Sequence, residues 1–380
     1  MSLSSCSGDD VVDRALNVSH FITVSGTGPT PPRAAHRWSQ RKGGRTRVQE
    51  PIWLRSVVKE DTGSNMECMC SRILWSSNPI AKIAARTMDW AQSDEPQLWV
   101  LPRGLERTGG GDDAISWTSK YGSVAVSGYD LATTDALNEV GLGVHLLYLE
   151  NTVYEPVDRR QTVLNTLLAQ WLVDTCSTVA EAVAQIADVR VASADVRGES
   201  LGVHFALEDP SGDSAIIEFI DGRKVIHHSP STLVMTNDPA YDDQIQNLER
   251  YAGFGGDLAL PGDILPTDRF VRASYFLSHL PEPATYQQTV AGIIGIARNV
   301  AVPPGAPDGA FGVYPTWWIS ASDLTIPTFY FQPVTSPNLF WVDLATLNLE
   351  IGSPVLSLDP AVDGLLGNVA GSFTSSSLIY

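Results

Sequence analysis

"MCSRILWSSNPIAKIAARTMDW" occupies residues 69–90. It reads as two β-type runs, "SRILWS" and "KIAARTMDW", parted by an Asn-Pro turn signal. Folded back on each other, the runs start a sheet and carry Arg86 and Asp89, sixteen and nineteen positions on, beside Cys70. Further short runs follow in "QLWVLP", "AISWTS", "GSVAVSGYD" and "VGLGVHLLYLE", set off by Gly, Asn, Asp and Pro. Next, "TVLNTLLAQWLVDTC" and "STVAEAVAQIADV" place apolar residues three and four apart and predict helices, the second opened by a Ser-Thr cap with Glu181 behind it. Strands resume in "LGVHFALEDPSGDSAIIEFIDGRKVIHHSPSTLVMTN", where "PSGD" and "IDGR" predict hairpin turns. Helical spacing returns in "DDQIQNLERYAG", "TDRFVRASYFLSHL" and "YQQTVAGIIGIARNV", and the strands "TWWISASD", "TFYFQPV" and "NLFWVDLATL" come last. Strands in blocks and helices in blocks predict an α+β fold with sheets packed on each other and helices outside, not alternating βαβ units.

With 380 residues and 43% apolar composition, the chain can bury a full core. Its charge is uneven. Residues 1–69 hold nine Lys and Arg against seven Asp and Glu, about +2, so residues 70–380 carry about −20 and the whole chain −18. Such a surface repels phosphate backbones and anionic head groups, so neither nucleic acid nor membrane is an expected partner. The stretch "SGTGPTPPRAAHRWSQRKGGRTRV", residues 25–48, lacks periodicity, and residues 1–66 read as largely disordered. No run is long enough for a membrane span and no secretory signal opens the chain, so the cytoplasm is the expected compartment, with the periplasm as the alternative. Cys6, Cys68, Cys70 and Cys176 are too scattered for a disulfide framework, and Cys176 reads as a structural thiol on a helix. His145, His204, His227 and His228 have no triad or metal spacing and read as structural or exposed.

A cysteine at the start of a mature chain carries its own base, because its α-amine titrates near neutral pH beside the thiol. Cys70 acquires that property once residue 69 is removed. The segments "CSRILW", "ARTMDWA", "WTSKYGSVAVSGYD", "LNEVGLGVHLLYLE", "SGDSAIIEFIDGRKVIHHS", "VMTNDPAYDDQ", "LPGDILPTDRFVRASYF" and "SPNLFWVDL", taken in this order, resemble the choloylglycine hydrolase family of N-terminal-nucleophile amidases. That family contains the penicillin V acylases and the conjugated bile salt hydrolases. The wording of "SKYGSV", "IIEFIDG" and "TDRFVRAS" is closest to the penicillin V acylases of Gram-negative bacteria.

The resemblance implies a four-layer αββα sandwich, two antiparallel sheets between helix layers. It places the nucleophile on Cys70, an arginine on Arg86, and on Asp89 the carboxylate that positions the α-amine. It puts an oxyanion donor on Asn237 of "MTNDP" and the later arginine on Arg269, with Arg272 as second choice. Tyr148 stands where bile salt hydrolases carry Asn and penicillin acylases often carry Tyr or Trp; its backbone N–H is left to serve the oxyanion while its ring walls the pocket. Met88, Trp90 and Trp99 are candidates for an apolar acyl site, although aromatic residues on sheet faces are also ordinary core. The two arginines are expected to favour the thiolate of Cys70.

The implied reaction is hydrolysis of a small-molecule acyl amide such as penicillin V, with no cofactor or metal required. N-acyl homoserine lactone acylase and bile salt hydrolase activities are the alternatives. Residues 70–380 would form the catalytic domain, with 1–69 a leader, a propeptide or an upstream reading of the gene, since Met69 directly precedes Cys70. The family's homotetramer is the assembly the resemblance offers. A catalytically silent β-rich binding domain is the rival from another class.

Overall fold

A computed structural model describes residues 70–377 apart from 197–198 and 309–311. The expectations for residues 1–69, Cys6 and Cys68 among them, lie outside the described residues.

The quoted opening does form the first two strands, β1 (Ser71–Trp75) and β2 (Ile83–Asp89), which pair antiparallel. Next come β3 (Gln97–Leu101), β4 (Ser123–Gly128), β5 (Ala132–Asn138) and β6 (Gly143–Tyr148). Helices α1 (Asn165–Thr175) and α2 (Val179–Ala187) separate these from the meander β7 (Val203–Glu208), β8 (Ser214–Ile220), β9 (Arg223–His228) and β10 (Val234–Thr236). Helices α3 (Tyr241–Leu248), α4 (Pro266–Ser278) and α5 (Tyr286–Val300) follow, then β11 (Thr316–Asp323), β12 (Thr328–Pro333) and β13 (Phe340–Asp343).

Two large sheets result. One runs β10-β1-β2-β11-β12-β13 with Gly367–Asn368 at its edge; the other runs β9-β8-β7-β6-β5-β4-β3, continued by Leu356–Leu358 and Thr374–Ser375. Strand alternation sorts the side chains into three core layers. Between the sheets lie Leu74 and Ala84 from one and Val100, Leu147 and Ile216 from the other, joined by Phe329 and Phe331. Beyond the second sheet, Phe205, Ile217 and Phe219 pack on Leu168, Trp171 and Leu172 of α1 and Ile186 of α2. Beyond the first, Ile73, Ile83, Ala85 and Ile319 pack on Phe270 of α4 and Ile293 and Ala297 of α5. This is the αββα sandwich.

Local signals explain the ends of the elements. Thr178 caps α2 by accepting the Glu181 N–H at 3.2 Å, while the Glu181 carboxylate reaches back to the Ser177 N–H at 2.7 Å. Asp221 and Gly222 both hold positive φ, as the two-residue turn between β8 and β9 requires. Strand β5 is not marked by alternation, because its buried polar residues have partners in both layers: Thr133 donates to Gln170 of α1, and Asp135 receives the Ser320 hydroxyl.

Candidate active site

Cys70 stands one residue before β1, and the two neighbouring strands decide what surrounds it. The register pairs Ser71 with Thr87 on one side and with Thr236 on the other. Continued by one residue, it sets Cys70 opposite Met88 and Asn237. The Cys70 Sγ lies 3.7 Å from both Met88 Sδ and the Asp89 carbonyl, and the Cys70 N–H donates to Asn237 Oδ1.

Alternation along β2 sends Arg86 and Met88 to the inter-sheet face and Thr87 and Asp89 toward α4. An Arg and an Asp three apart therefore approach Cys70 from opposite sides. Arg86 Nη2 is 3.9 Å from the Cys70 Sγ and 3.3 Å from Met88 Sδ, Nη1 donates to the Thr134 carbonyl, and the guanidinium lies 4.7 Å over the Trp318 ring. On the other side, Asp89 accepts from Thr316 Oγ1 at 2.5 Å and Thr87 Oγ1 at 3.3 Å, and pairs with Arg269 Nη1 at 3.5 Å.

Arg269, on α4 and fully buried, gathers the rest. Its Nη1 donates to the Cys70 carbonyl at 2.7 Å and to Ser71 Oγ at 2.6 Å, and its Nη2 to Asn237 Oδ1 at 3.2 Å. Arg272, one turn on, instead donates to the Asp263 carbonyl. Asn237 Nδ2 donates to the Tyr148 carbonyl at 2.8 Å, which leaves its second hydrogen for another acceptor. The Leu149 N–H bonds to the Gly202 carbonyl, one residue before β7, so the Tyr148 N–H and carbonyl point away from β7, to the Asn237 side. The Tyr148 ring meets Trp90 edge-on at 5.8 Å.

Burial pushes the Cys70 thiol up, Arg86 pulls it down, and the net direction is up. The direction runs against the expectation of a thiolate favoured by the arginines, because burial outweighs the pull of Arg86. Burial also lifts Asp89 to about 6, against the opposing pull of Arg269 and its two threonine donors.

A cavity with about 570 Å³ of empty space, part of it open to solvent, begins at Cys70. Met88, Trp90, Leu131, Leu146 and Tyr148 wall it, and Arg86 and Asp94 also face it. Trp99, expected here, does not line it. It lies on β3 between Leu98 and Val100, which face the other sheet, so alternation turns Trp99 to the α1 layer, where its Nε1 donates to Ser127 at 2.9 Å. His145 and His204 are buried against carboxylates, His227 is half-buried, and Cys176 is buried just past α1.

Several residues that hold the site escaped the sequence reading: Thr87 and Thr316 on Asp89, Trp318 under Arg86, and Asp94 against Trp318. A threonine two before Asp89 on the same strand face was a usable signal; Thr316 and Trp318 arrive from a distant strand and left none.

Fold and site together define an N-terminal-nucleophile hydrolase architecture. Residues 70–357 match the family model of linear amide C–N hydrolases, choloylglycine hydrolase family. The chain belongs to that family. It is 35% identical over 331 residues to a penicillin V acylase of Pectobacterium atrosepticum, covering 80% of this chain and 88% of that one. The solved penicillin V acylase of Agrobacterium tumefaciens superposes with TM-score 0.74 at 34% identity, covering 81% of this chain and 98% of that one. A bile salt hydrolase/transferase of Bifidobacterium longum is 24% identical over 74% of this chain and 97% of its own length.

Proposed function

We propose that this protein is an acylase in which Cys70, as the first residue of the mature chain, cleaves acyl amides such as penicillin V. The observation that carries the reading is that sulfur, nitrogen and carbonyl of Cys70 are each engaged by a different partner, Arg86, Asn237 and Arg269, at the mouth of an apolar cavity. The family match also begins at this residue.

The α-amine takes the thiol proton, and the sulfur attacks the amide carbonyl carbon. The oxyanion is held by the second Asn237 Nδ2 hydrogen and the Tyr148 N–H. As the C–N bond breaks, the ammonium returns the proton to the leaving nitrogen and a thioester remains on Cys70. Water, deprotonated by the same amine, then attacks the thioester; the acyl group leaves as a carboxylic acid and the thiol is restored. Asp89 holds the ammonium form, Arg269 holds Asn237 and the Cys70 carbonyl, and Arg86 steadies charge on sulfur.

Tyr148 in place of an amide side chain favours hydrophobic acyl groups over bile salts, and the similarity to two penicillin V acylases supports the same order. The reading includes a homotetramer, checked by light scattering of the mature chain. Its test compares phenoxyacetyl and long-chain acyl amides on one preparation beside Cys70→Ala. Turnover of either amide, lost in the variant, is expected; failure on both overturns the reading.

A further inference from the structure

We propose that Thr134 is a positioning residue for the reaction: its hydroxyl fixes a β-bulge in β5 whose carbonyl holds Arg86 against the Cys70 sulfur. The inference rests on the acyl-amide reading above. Strand β5 pairs with β4 in a register that slips by one residue, Asp135 lying opposite Val126 but Thr133 opposite Ser127. Thr134 is the residue left over. The slip also reverses the faces. Thr133 and Asp135, two apart, would share a face in a regular strand, yet Thr133 donates to Gln170 of α1 while Asp135 receives the Ser320 hydroxyl from the first sheet. At this step Thr134 Oγ1 donates to the Val126 carbonyl at 3.1 Å, a cross-strand bond made by the side chain where the ladder is irregular.

Carbonyls of a regular antiparallel strand point along the sheet toward its neighbours, whereas the extra residue of a bulge has no partner opposite. The Thr134 carbonyl accepts instead from Arg86 Nη1, on the other sheet. Among the described residues it is the one oxygen that hydrogen-bonds Arg86: Nη2 meets two sulfurs, Met88 Sδ at 3.3 Å and Cys70 Sγ at 3.9 Å, and Nε has no partner. The Trp318 ring, 4.7 Å from the guanidinium, fixes the plane of that group but not its direction within the plane. The carbonyl supplies the direction. Held at one end by oxygen, the guanidinium presents its other end to the thiol, and this is the pull of Arg86 that opposes burial at Cys70.

The experiment reads alkylation of Cys70 by iodoacetamide against pH, located by mass spectrometry of the mature enzyme, beside kcat/KM. Thr134→Val, which keeps the shape and removes the hydroxyl, should raise the alkylation midpoint by about 1 pH unit and lower kcat/KM by about 10-fold or more. Thr134→Ser, which restores the hydroxyl, should recover most of both. Arg86→Ala should raise the midpoint by itself, and adding Thr134→Val to it should move the midpoint no further. Besides Arg86, the thiol has around it Asp89 of β2, Arg269 of α4, its own α-amine, and Asp94 and Tyr148 along the cavity; all stay in place throughout the set. Thr134 also borders the cavity, so the midpoint, not turnover, isolates its role. An unmoved midpoint in Thr134→Val, or an equal further shift in the Arg86→Ala background, overturns the inference. Should Thr134→Val not fold, Arg86→Lys decides. It keeps the charge but cannot span from carbonyl to sulfur as a fork, so its midpoint should lie near that of Arg86→Ala; a parental midpoint overturns the inference. Alkylation needs no substrate, so a parent enzyme inactive on every amide counts against the acyl-amide reading alone.

Discussion

Asp89 faces away from the acyl cavity, and burial holds its carboxyl at about 6, well above the usual carboxylate range. The folded chain thus binds this proton more tightly than the unfolded chain: the group adds stability below about 4, and that contribution is lost as pH rises through 6. Catalysis runs the other way, because only ionised Asp89 can hold an ammonium. Turnover should fall as pH drops through 6 or somewhat below, the α-ammonium of a mature chain lowering Asp89 from the value it has here. The α-amine, a base only when neutral, sets its own acid limb at about 7.7–8.0; Asp89→Asn should remove only the lower limb from the kcat/KM profile and cost about 10- to 100-fold, the worth of one charge-assisted bond. A limb unchanged in the variant would deny Asp89 the role. At this scale the sequence was most legible where residues sit close to Cys70 in the chain or on its neighbouring strands: Arg86, Asp89 and Asn237 all converge. Trp99 misled because a Trp near the nucleophile in sequence says nothing of which strand face it takes.

Of the strands the sequence reading missed, β5 is the longest, and its composition shows why. "ATTDALN" is fully buried but has no apolar alternation, since Asp135 belongs to a charged chain between the sheets. His145 Nδ1 lies 2.7 Å from Asp135 Oδ1, its Nε2 meets Glu208, and Glu208 pairs with Arg72 of β1. These groups link β1, β5, β6 and β7 across the sandwich, close behind the nucleophile strand. Burial pushes the His145 imidazole down, but Glu208 and Asp135 outweigh it and raise it to about 9. A folded pKa above the unfolded value of about 6.5 means stability fully present below 6.5 and lost as pH climbs through 9. Melting temperature should therefore fall between pH 6.5 and 9.5. His145→Gln should melt lower throughout, by the equivalent of about 3 kcal/mol at pH 6.5, and lose most of that slope. An unaltered slope would move the titration elsewhere. Hairpins and amphipathic helices were legible because their patterns are local: α5 runs over Tyr286–Val300, as its spacing predicts. In contrast, the run expected to be helical from Thr162 begins as a strand, Thr162–Leu164, pairing parallel with Arg190–Ala192, a partner its own spacing does not announce.

For the whole molecule, the two sheets do different work. The first carries Cys70, Arg86 and Asp89 and, through α4, Arg269; the second supplies Tyr148, Leu146 and Leu131 to the cavity wall. A site split in this way is complete only when the sandwich is closed: the family resemblance named its residues, and of the pocket candidates Met88 and Trp90 line the cavity while Trp99 does not. Among the described residues no helix is long and apolar enough to cross a membrane. The strongly acidic composition of residues 70–380 suits a small acyl amide better than an anionic polymer. The central claim is that Cys70 works as an N-terminal residue, with its own amine as base. Intact mass and N-terminal sequence of the purified protein, read beside its amidase activity, test that claim most directly. A chain beginning at Cys70 that turns over acyl amides is the predicted result; a chain that retains Met69 and hydrolyses them equally well would contradict it.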